Sequence, residues 1–406
     1  MIEQRKGAYG AHVLVVGGGI GGLAAAVALT RSGVSVSVAE QAEEFGEIGA
    51  GLQLAPNATR ILGHWGLMDQ VLGVGVQPER MVFRDAVSAD VLLAHSLGQE
   101  LTDQFGSPYV VIHRTDLHSI LLEECRRLGV ELLTHAHVDS IERDGERVVA
   151  TFADGRSIDA DYVIGADGLK SGLRTLVSDD QPIPSGYVAY RGTIPIEEMP
   201  DDQRAKDVVC WMGPGMHLVQ YPLRQGTLLN QVATFRSESF IAGEENCGTV
   251  EELTAAFDAT HPQVKVALEY VSKQRRWPLF DRAPISNWAT DEMVLLGDAA
   301  HPMLQYLAQG CCQALEDASA LEKLSGVRVP TSATEWHTLA EMYQSERIPR
   351  SASIQTGART FGEICHISGV GRSLRNELLR GIPTQDYSYA AWIYQNEPAL
   401  ASAGAR

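Results

Sequence analysis

The apolar positions of this chain gather in three short unbroken runs, each closed by glycine. His12-Val-Leu-Val-Val16 stops at Gly17, Tyr162-Val-Ile-Gly165 runs into Ala166-Asp167-Gly168, and Met293-Val-Leu-Leu296 stops at Gly297-Asp298. Runs this short, rich in β-branched residues and bounded by glycine, predict buried parallel strands rather than helices. The first is followed by a helical pattern to Leu29 and by a second strand-like stretch, Val34-Ser-Val-Ser-Val-Ala39, ending at Glu40. Between residues 186 and about 275 the pattern changes to period two, in segments 192–196, 208–212, 218–221 and 230–235, which predicts antiparallel strands. Residues 81–97 alternate in the same way and are grouped with them. Strands are also expected at 130–138 and 148–152, with turns at Asp144-Gly145 and Asp154-Gly155. Helices are expected from His113 to Leu128, from Gln313 to Leu324 and from Trp336 onward.

With 406 residues the chain exceeds the size at which one core usually stops growing, so two closely packed domains are expected. No repeat, low-complexity tract or long linker separates them, so the domains are interleaved. A hydrophobic content of 45% and a charged content of 21% are those of an ordinary globular protein. The net charge of −18 argues against nucleic acid and against an anionic membrane as partners, while leaving room for a local anion pocket. Six cysteines show neither a CxxC pair nor zinc spacing, so no metal is expected and the thiols read as reduced, as in the cytoplasm. No charged-then-apolar leader pattern and no run of transmembrane length is present in the sequence, which is read as that of a soluble cytoplasmic protein.

Gly17, Gly19 and Gly22 form a GxGxxG turn between a strand and a helix. Gly17 suits the tight turn, Gly19 lets backbone approach a pyrophosphate, and Gly22 allows the helix to pack closely. Phosphates would then sit on a helix N-terminus. Glu40, about 20 residues on, is placed to hydrogen-bond ribose hydroxyls, which favours FAD or NAD over NADP and does not choose between the first two. A glycine-rich loop from Phe45 to Asn57 suits approach to a flat ring. Arg114 opens a helix whose N-cap is expected at Thr115 or Asp116. A cation there is disfavoured by the helix dipole, so either a phosphate or an ion pair with Asp116 accounts for it.

Three glycine turns after three buried strands are what a dinucleotide crossing a sheet edge requires. At this point the sequence resembles, over nearly its whole length, the single-component flavoprotein aromatic hydroxylases. The resemblance implies an α/β fold: a Rossmann-type FAD-binding domain interleaved with a mainly antiparallel-sheet substrate domain, followed by C-terminal helices. It apportions residues 8–80, 109–185 and 277–335 to FAD, 81–108 and 186–276 to substrate, and 336–406 to a C-terminal helical segment that either serves an interface or caps the core. Gly-Ala-Asp167-Gly168-Leu-Lys-Ser171-Gly-Leu-Arg174 is similar to the family motif for FAD and nicotinamide binding, and Gly297-Asp298-Ala-Ala-His301-Pro302 to the one contacting the FAD ribityl chain. By the same match Gly17, Gly19, Gly22, Glu40 and Arg114 bind FAD.

Within the family the sequence resembles most the 3-hydroxybenzoate 6-hydroxylases, and next the salicylate hydroxylases. Gly215-Met-His217-Leu-Val-Gln-Tyr221-Pro222, Gly106-Ser-Pro-Tyr109 and Met303-Leu-Gln305-Tyr-Leu-Ala308-Gln309-Gly310 carry this. Many relatives have proline at the position of Gln305 and glycine at that of Ala308. The resemblance implies an enzyme using bound FAD, NADH and O2 on a small aromatic acid, as a homodimer.

Attack of electrophilic oxygen on a phenol ring is helped by removing the phenolic proton, which at pH 7 costs about 4 kcal/mol for a pKa near 10. His217 is the expected base, Tyr221 a relay or stabiliser, and Gln305 a hydrogen-bond partner that fixes which carbon reacts. Histidine suits the role because its pKa ordinarily lies near the working pH. Four residues apart on a strand, His217 and Tyr221 share a face, which fits a structural stripe as well as an active site. Tyr109 either lines the pocket or is core, Arg191 meets a carboxylate, a nicotinamide nucleotide or an acidic side chain, Pro302 is placed at the pocket, and His301 has a flavin-side or a packing role. The expected reaction is conversion of 3-hydroxybenzoate to 2,5-dihydroxybenzoate. The alternatives are salicylate 1-hydroxylation, hydroxylation of an amino- or hydroxy-substituted benzoate in secondary metabolism, and, from another class, a flavin-binding sensor without turnover.

Overall fold

The computed structural model describes residues 10–46 and 49–395. The polar N-terminal stretch, Glu47 and Ile48 of the glycine-rich loop, and residues 396–406 of the expected C-terminal segment lie outside the described residues.

The three glycine-closed runs become adjacent strands of one parallel sheet. Its order is Met293–Leu295, Tyr162–Gly165, His12–Val16, Ser35–Ala39 and Glu131–Leu133, and every neighbouring pair is parallel. The sheet is covered on both faces, so the three glycine-closed strands lack a polar side and read as apolar runs. Gly17, Ala166 and Leu296 therefore leave the sheet side by side at its carboxyl edge, where α/β folds bind their ligands. Helix Ile20–Arg31, buried from Gly22 to Leu29, packs between helices Arg114–Leu128 and Gly310–Val327.

Sterics dictate glycine at two points of the first turn. Gly17 has φ +112°, and a Cβ there would lie 2.3 Å from the Ala166 carbonyl oxygen. A Cβ on Gly22 would lie 1.9 Å from the Gly17 carbonyl oxygen. Neither distance is attainable by a real side chain.

The second sheet has seven strands in the order Arg276–Asp281, Ile183–Pro195, Leu228–Arg236, Met216–Leu223, Val208–Gly213, Arg80–Asp85 and Val91–Ser96. It takes in the alternating segment near residue 81, through a parallel pairing of Val208–Gly213 with Arg80–Asp85 in an otherwise antiparallel sheet. The two neighbouring strands at one edge, Arg276–Asp281 and Ile183–Pro195, extend a few residues beyond the expected boundaries, with Ile183 paired to Asp281.

Other local expectations are corrected. Residues 130–138 do not form one strand: the chain leaves the sheet after Leu133, turns at His135 (φ +49°), and starts Val138–Asp144 in a separate three-stranded sheet. The turn follows the loop after Glu40, whose carbonyl accepts from the Ala136 amide at 2.8 Å. The helix at Arg114 is capped two residues before the nearer of the expected caps, by the His113 side chain, which accepts from the Thr115 amide.

The 34-residue helix Ala333–His366 is tied to helix Gly310–Val327 by a buried charge cluster. Arg347 donates from Nε to Asp317 Oδ1 at 2.7 Å and from Nη1 to Glu316 Oε2 at 2.8 Å, and Arg350 donates to Glu316 Oε1 at 2.9 Å. The same Asp317 accepts the Gly297 amide at 2.9 Å, so the cluster sets the third glycine turn.

Candidate active site

A cavity of about 1740 Å³ runs from the carboxyl edge of the parallel sheet to the face of the seven-stranded sheet. A single drug-sized ligand needs roughly 300–1,000 Å³, so there is space for a long ligand and a smaller one beyond it. Gly17, Gly19, Glu40, Arg114, Asp167, Gly168, Gly297 and Asp298 all line its first end. Gly22 does not; it lies one turn into the helix, where its missing side chain admits the Gly17 carbonyl.

Each turn is fixed before any ligand enters. Glu40 accepts the Gly18 amide at 2.8 Å and the Ala42 amide at 2.9 Å. Asp167 accepts the Gly172 amide at 2.9 Å and the Leu173 amide at 3.2 Å through Oδ2, which leaves its buried Oδ1 without a hydrogen-bond partner. Arg174, buried, donates from Nη1 to the carbonyls of Ala299 (2.8 Å) and Ala300 (2.6 Å), locking the second turn to the third. Asp116 pairs with Arg224 at 2.9 Å. A side-chain-free glycine turn at a helix N-terminus, a cation at the start of another helix and an acceptor waiting on Asp167 fit the pyrophosphate and hydroxyls of FAD.

At the other end His217 and Tyr221, both buried on strand Met216–Leu223, line the cavity together with Gln305, Tyr109 and Arg191. Tyr221 lies over Gly51: a Cβ there would sit 2.3 Å from the ring. Tyr109 donates from its hydroxyl to Gln53 Oε1 at 2.7 Å. Gln305 opens a single 3-10 turn and donates from Nε2 to Thr234 Oγ1 at 2.9 Å. Ala308 closes that turn at φ +53°, a left-handed position that glycine adopts more easily. The Arg191 guanidinium lies 4.5 Å from the centre of the Trp277 ring.

Pro302 does not line the cavity. It is buried one residue before the lining begins at Met303, and its carbonyl accepts from Gln355 Nε2 at 3.0 Å. His301 is likewise internal, bonded through Nε2 to Asp317 Oδ2 at 2.6 Å, which is the packing role.

Burial alters the acid–base picture. It pushes the His217 imidazole down to about 4, below the near-neutral value expected from the residue type. Burial also raises the Tyr221 phenol, with Arg191 opposing it, so this hydroxyl stays protonated and acts as a donor or relay. Sequence reasoning missed His366, whose Nε2 lies 2.8 Å from Nδ1 of His217, and Tyr306, edge-on to the His217 ring at 5.5 Å. It also missed that the C-terminal segment builds a wall of the cavity, with Phe361, Tyr389 and Tyr394 among the lining residues. Tyr306 directly follows Gln305; nothing local flags His366.

The FAD binding domain family matches residues 10–358 of the chain. The chain is 39% identical over 385 residues to a 3-hydroxybenzoate 6-hydroxylase of Klebsiella oxytoca, covering 94% of this chain and 96% of that protein. It is 36% identical over 393 residues to a 3-amino-4-hydroxybenzoate 2-monooxygenase of Streptomyces cremeus, covering 97% of each. Among solved structures it is similar to Klebsiella pneumoniae HpxO complexed with FAD and uric acid, with a TM-score of 0.80, 25% identity, and 92% and 93% of the two chains covered.

Proposed function

Since the chain belongs to the FAD binding domain family and is an FAD-dependent aromatic monooxygenase, we propose that it hydroxylates 3-hydroxybenzoate para to its hydroxyl, giving 2,5-dihydroxybenzoate with NADH and O2. The observation that carries the reading is that His217, Tyr221 and Gln305 all line one cavity, in a chain 39% identical to a 3-hydroxybenzoate 6-hydroxylase.

FAD, which Gly17, Gly19, Glu40, Arg114, Asp167, Gly168, Gly297 and Asp298 would hold, would when bound carry the electrons of NADH to O2 and so activate the oxygen. The protein's own residues orient the ring and manage its proton. Arg191 offers the benzoate carboxylate a cation on the cavity wall. Gln305, with Nε2 engaged by Thr234, presents its amide oxygen or its second N–H to the ring substituents. His217 accepts the phenolic proton at Nε2, the nitrogen not engaged by His366. An unperturbed phenol and an imidazole at about 4 differ by some six pKa units, so His217 alone would hold that proton at a cost of roughly 8 kcal/mol. The base therefore has to pass it on or be helped by donors to the phenolate, of which the Tyr221 hydroxyl is one.

The helix Gly369–Arg380 exposes Val370, Leu374 and Leu378 at one-turn spacing, which supports a homodimer. Among the described residues no helix is long and apolar enough to cross a membrane, and a cytoplasmic location fits the six free thiols. The similarity to a 3-amino-4-hydroxybenzoate 2-monooxygenase supports a second reading, in which the substrate carries an amino group.

Oxygen and NADH consumption by the FAD-loaded protein with a panel of substituted benzoates, with products identified by mass and NMR, tests the reading. The expected result is 2,5-dihydroxybenzoate from 3-hydroxybenzoate in near-equal stoichiometry with NADH. Preferential conversion of 3-amino-4-hydroxybenzoate would favour the second reading. Catechol and carbon dioxide from salicylate would overturn both, and no stimulation by any benzoate would leave a flavin-binding sensor.

A further inference from the structure

Behind His217, outside the cavity, stands His366, the last residue of helix Ala333–His366. The two imidazoles lie 21° from parallel and meet through Nδ1 of His217 and Nε2 of His366 at 2.8 Å. A bond between two ring nitrogens holds one proton, with one ring donating and the other accepting. The helix end is pinned for this contact: the His366 carbonyl accepts from the Gly215 amide at 2.9 Å, two residues before His217.

Where a base histidine is usually backed by a carboxylate that stabilises its imidazolium, no carboxylate is hydrogen-bonded to either ring among the described residues. The surroundings are aromatic instead. Tyr187 stacks on His366 at 4.4 Å, and Tyr306 stands edge-on to both imidazoles, 5.5 Å from His217 and 5.3 Å from His366. The charged group acting on His366 is Arg375, which binds the Cys365 carbonyl at 2.8 Å. Tyr187, stacked on His366, is only partly buried, so the second imidazole is one ring from the surface.

We infer that His366 is a relay residue acting through His217, carrying the proton of the bound phenol out of the cavity; the inference rests on the phenol-hydroxylation reading above. The phenolic O–H breaks as its proton bonds to Nε2 of His217. The Nδ1–H of His217 breaks as that proton bonds to Nε2 of His366, and the Nδ1–H of His366 breaks to water. Both rings end neutral in their other tautomers, leaving one phenolate inside and one hydrated proton outside. Burial holds His217 down to about 4, and burial together with the charges of His217 and Arg375 holds His366 down to about 2, so neither ring retains the proton it passes.

The experiment mixes 3-hydroxybenzoate with the FAD-loaded protein and its H366Q and H366F variants in weak buffer, following phenolate absorption and proton release to an indicator by stopped flow. The wild type should release one proton per ligand bound. Glutamine can accept the Nδ1–H of His217 yet cannot pass a proton, so a structural role would survive in H366Q and a relay would not. Both variants should keep ligand affinity within about threefold, release the proton at least tenfold more slowly, and recover as pH rises towards the phenol's own ionisation. H366Q behaving as wild type overturns the relay alone. A wild type that binds no hydroxybenzoate overturns the substrate reading and the relay together. A proton inventory on the wild type in mixed H2O and D2O, which needs no variant, should be curved, as for protons moving together; a linear one overturns the relay.

Discussion

Asp317 accepts the Nε2–H of His301 at 2.6 Å with both side chains fully buried. Its other oxygen takes Arg347, and the oxygen shared with His301 also accepts the Gly297 amide. One carboxylate thus joins the long C-terminal helix to the turn that borders the cofactor end of the cavity. Removing the cation leaves two acids, Glu316 and Asp317, buried with less compensation. R347L should cost about 3–5 kcal/mol and loosen the Gly297 turn. Urea unfolding checks the first effect, and the fraction of flavin retained after desalting the second. Full stability with full retention would show that Arg350 alone neutralises the cluster.

Acid should weaken the fold in two adjoining windows. Burial alone would raise Asp317, but His301 and Arg347 hold it at about 2, below its ordinary 3.8. Its contribution, on the order of 2 kcal/mol, is present above about pH 4 and is lost as pH falls towards 2. His217 is also depressed, from 6.5 to about 4. An unfolded chain binds that proton while the folded one does not, so stability falls between about pH 6.5 and 4, by roughly 3 kcal/mol. His366, held down to about 2 by burial and by the charges of His217 and Arg375, adds to the loss through both windows. Urea midpoints measured from pH 7 to 2 should show the slope, and H217F should lessen it between pH 6.5 and 4 without abolishing it.

The aromatic end of the cavity depends on an absent side chain. Gly51 lies within the glycine-rich stretch and opens the strand Gly51–Leu54, and a Cβ on it would meet the Tyr221 ring at 2.3 Å and its hydroxyl oxygen at 2.7 Å. The Gly51 amide is fixed by Asn230 at 2.8 Å, so the backbone cannot easily retreat. G51A should therefore displace Tyr221. The expected result is a KM for the aromatic acid raised about tenfold or more, with flavin content unchanged; G51A that alters flavin retention and not KM would place Tyr221 outside the substrate's reach.

What the sequence made legible were features that a single element carries. Unbroken apolar runs reveal strands buried on both faces, and the glycines that end them mark a common edge because all three strands run the same way. The period of two put His217 and Tyr221 on one side of their strand. Contacts between distant elements were not legible. His366 meets His217 across 149 residues, and no local pattern distinguishes it from the helix end it occupies. The lowered pKa of His217 has the same origin, since burial is a property of everything packed around the ring. Pro302 misled because its motif approaches the cavity while its own side chain turns inward, and His113 displaced the expected cap because a ring nitrogen can accept an amide as well as Thr115 or Asp116 can.

The proposed base, His217, and the Tyr221 hydroxyl should separate kinetically. H217A removes the only imidazole that both lines the cavity and contacts His366 among the described residues. General-base contributions are typically 10²–10⁴-fold, so product formation at neutral pH should fall by about that factor. NADH oxidation stimulated by the aromatic acid should persist, because the contacts proposed for Arg191 and Gln305 are left in place. Y221F keeps the ring packed over Gly51 and removes only a donor, so its loss should be nearer tenfold, and its acid limb should stay where the wild type's is. H217A should instead shift the rise in kcat to higher pH, towards the phenol's own ionisation. Steady-state product formation and NADH consumption from pH 6 to 10, measured separately, distinguish these outcomes. If H217A retains both the rate and the pH profile of the wild type, the proton leaves by another route and the role of His217 is to shape the pocket.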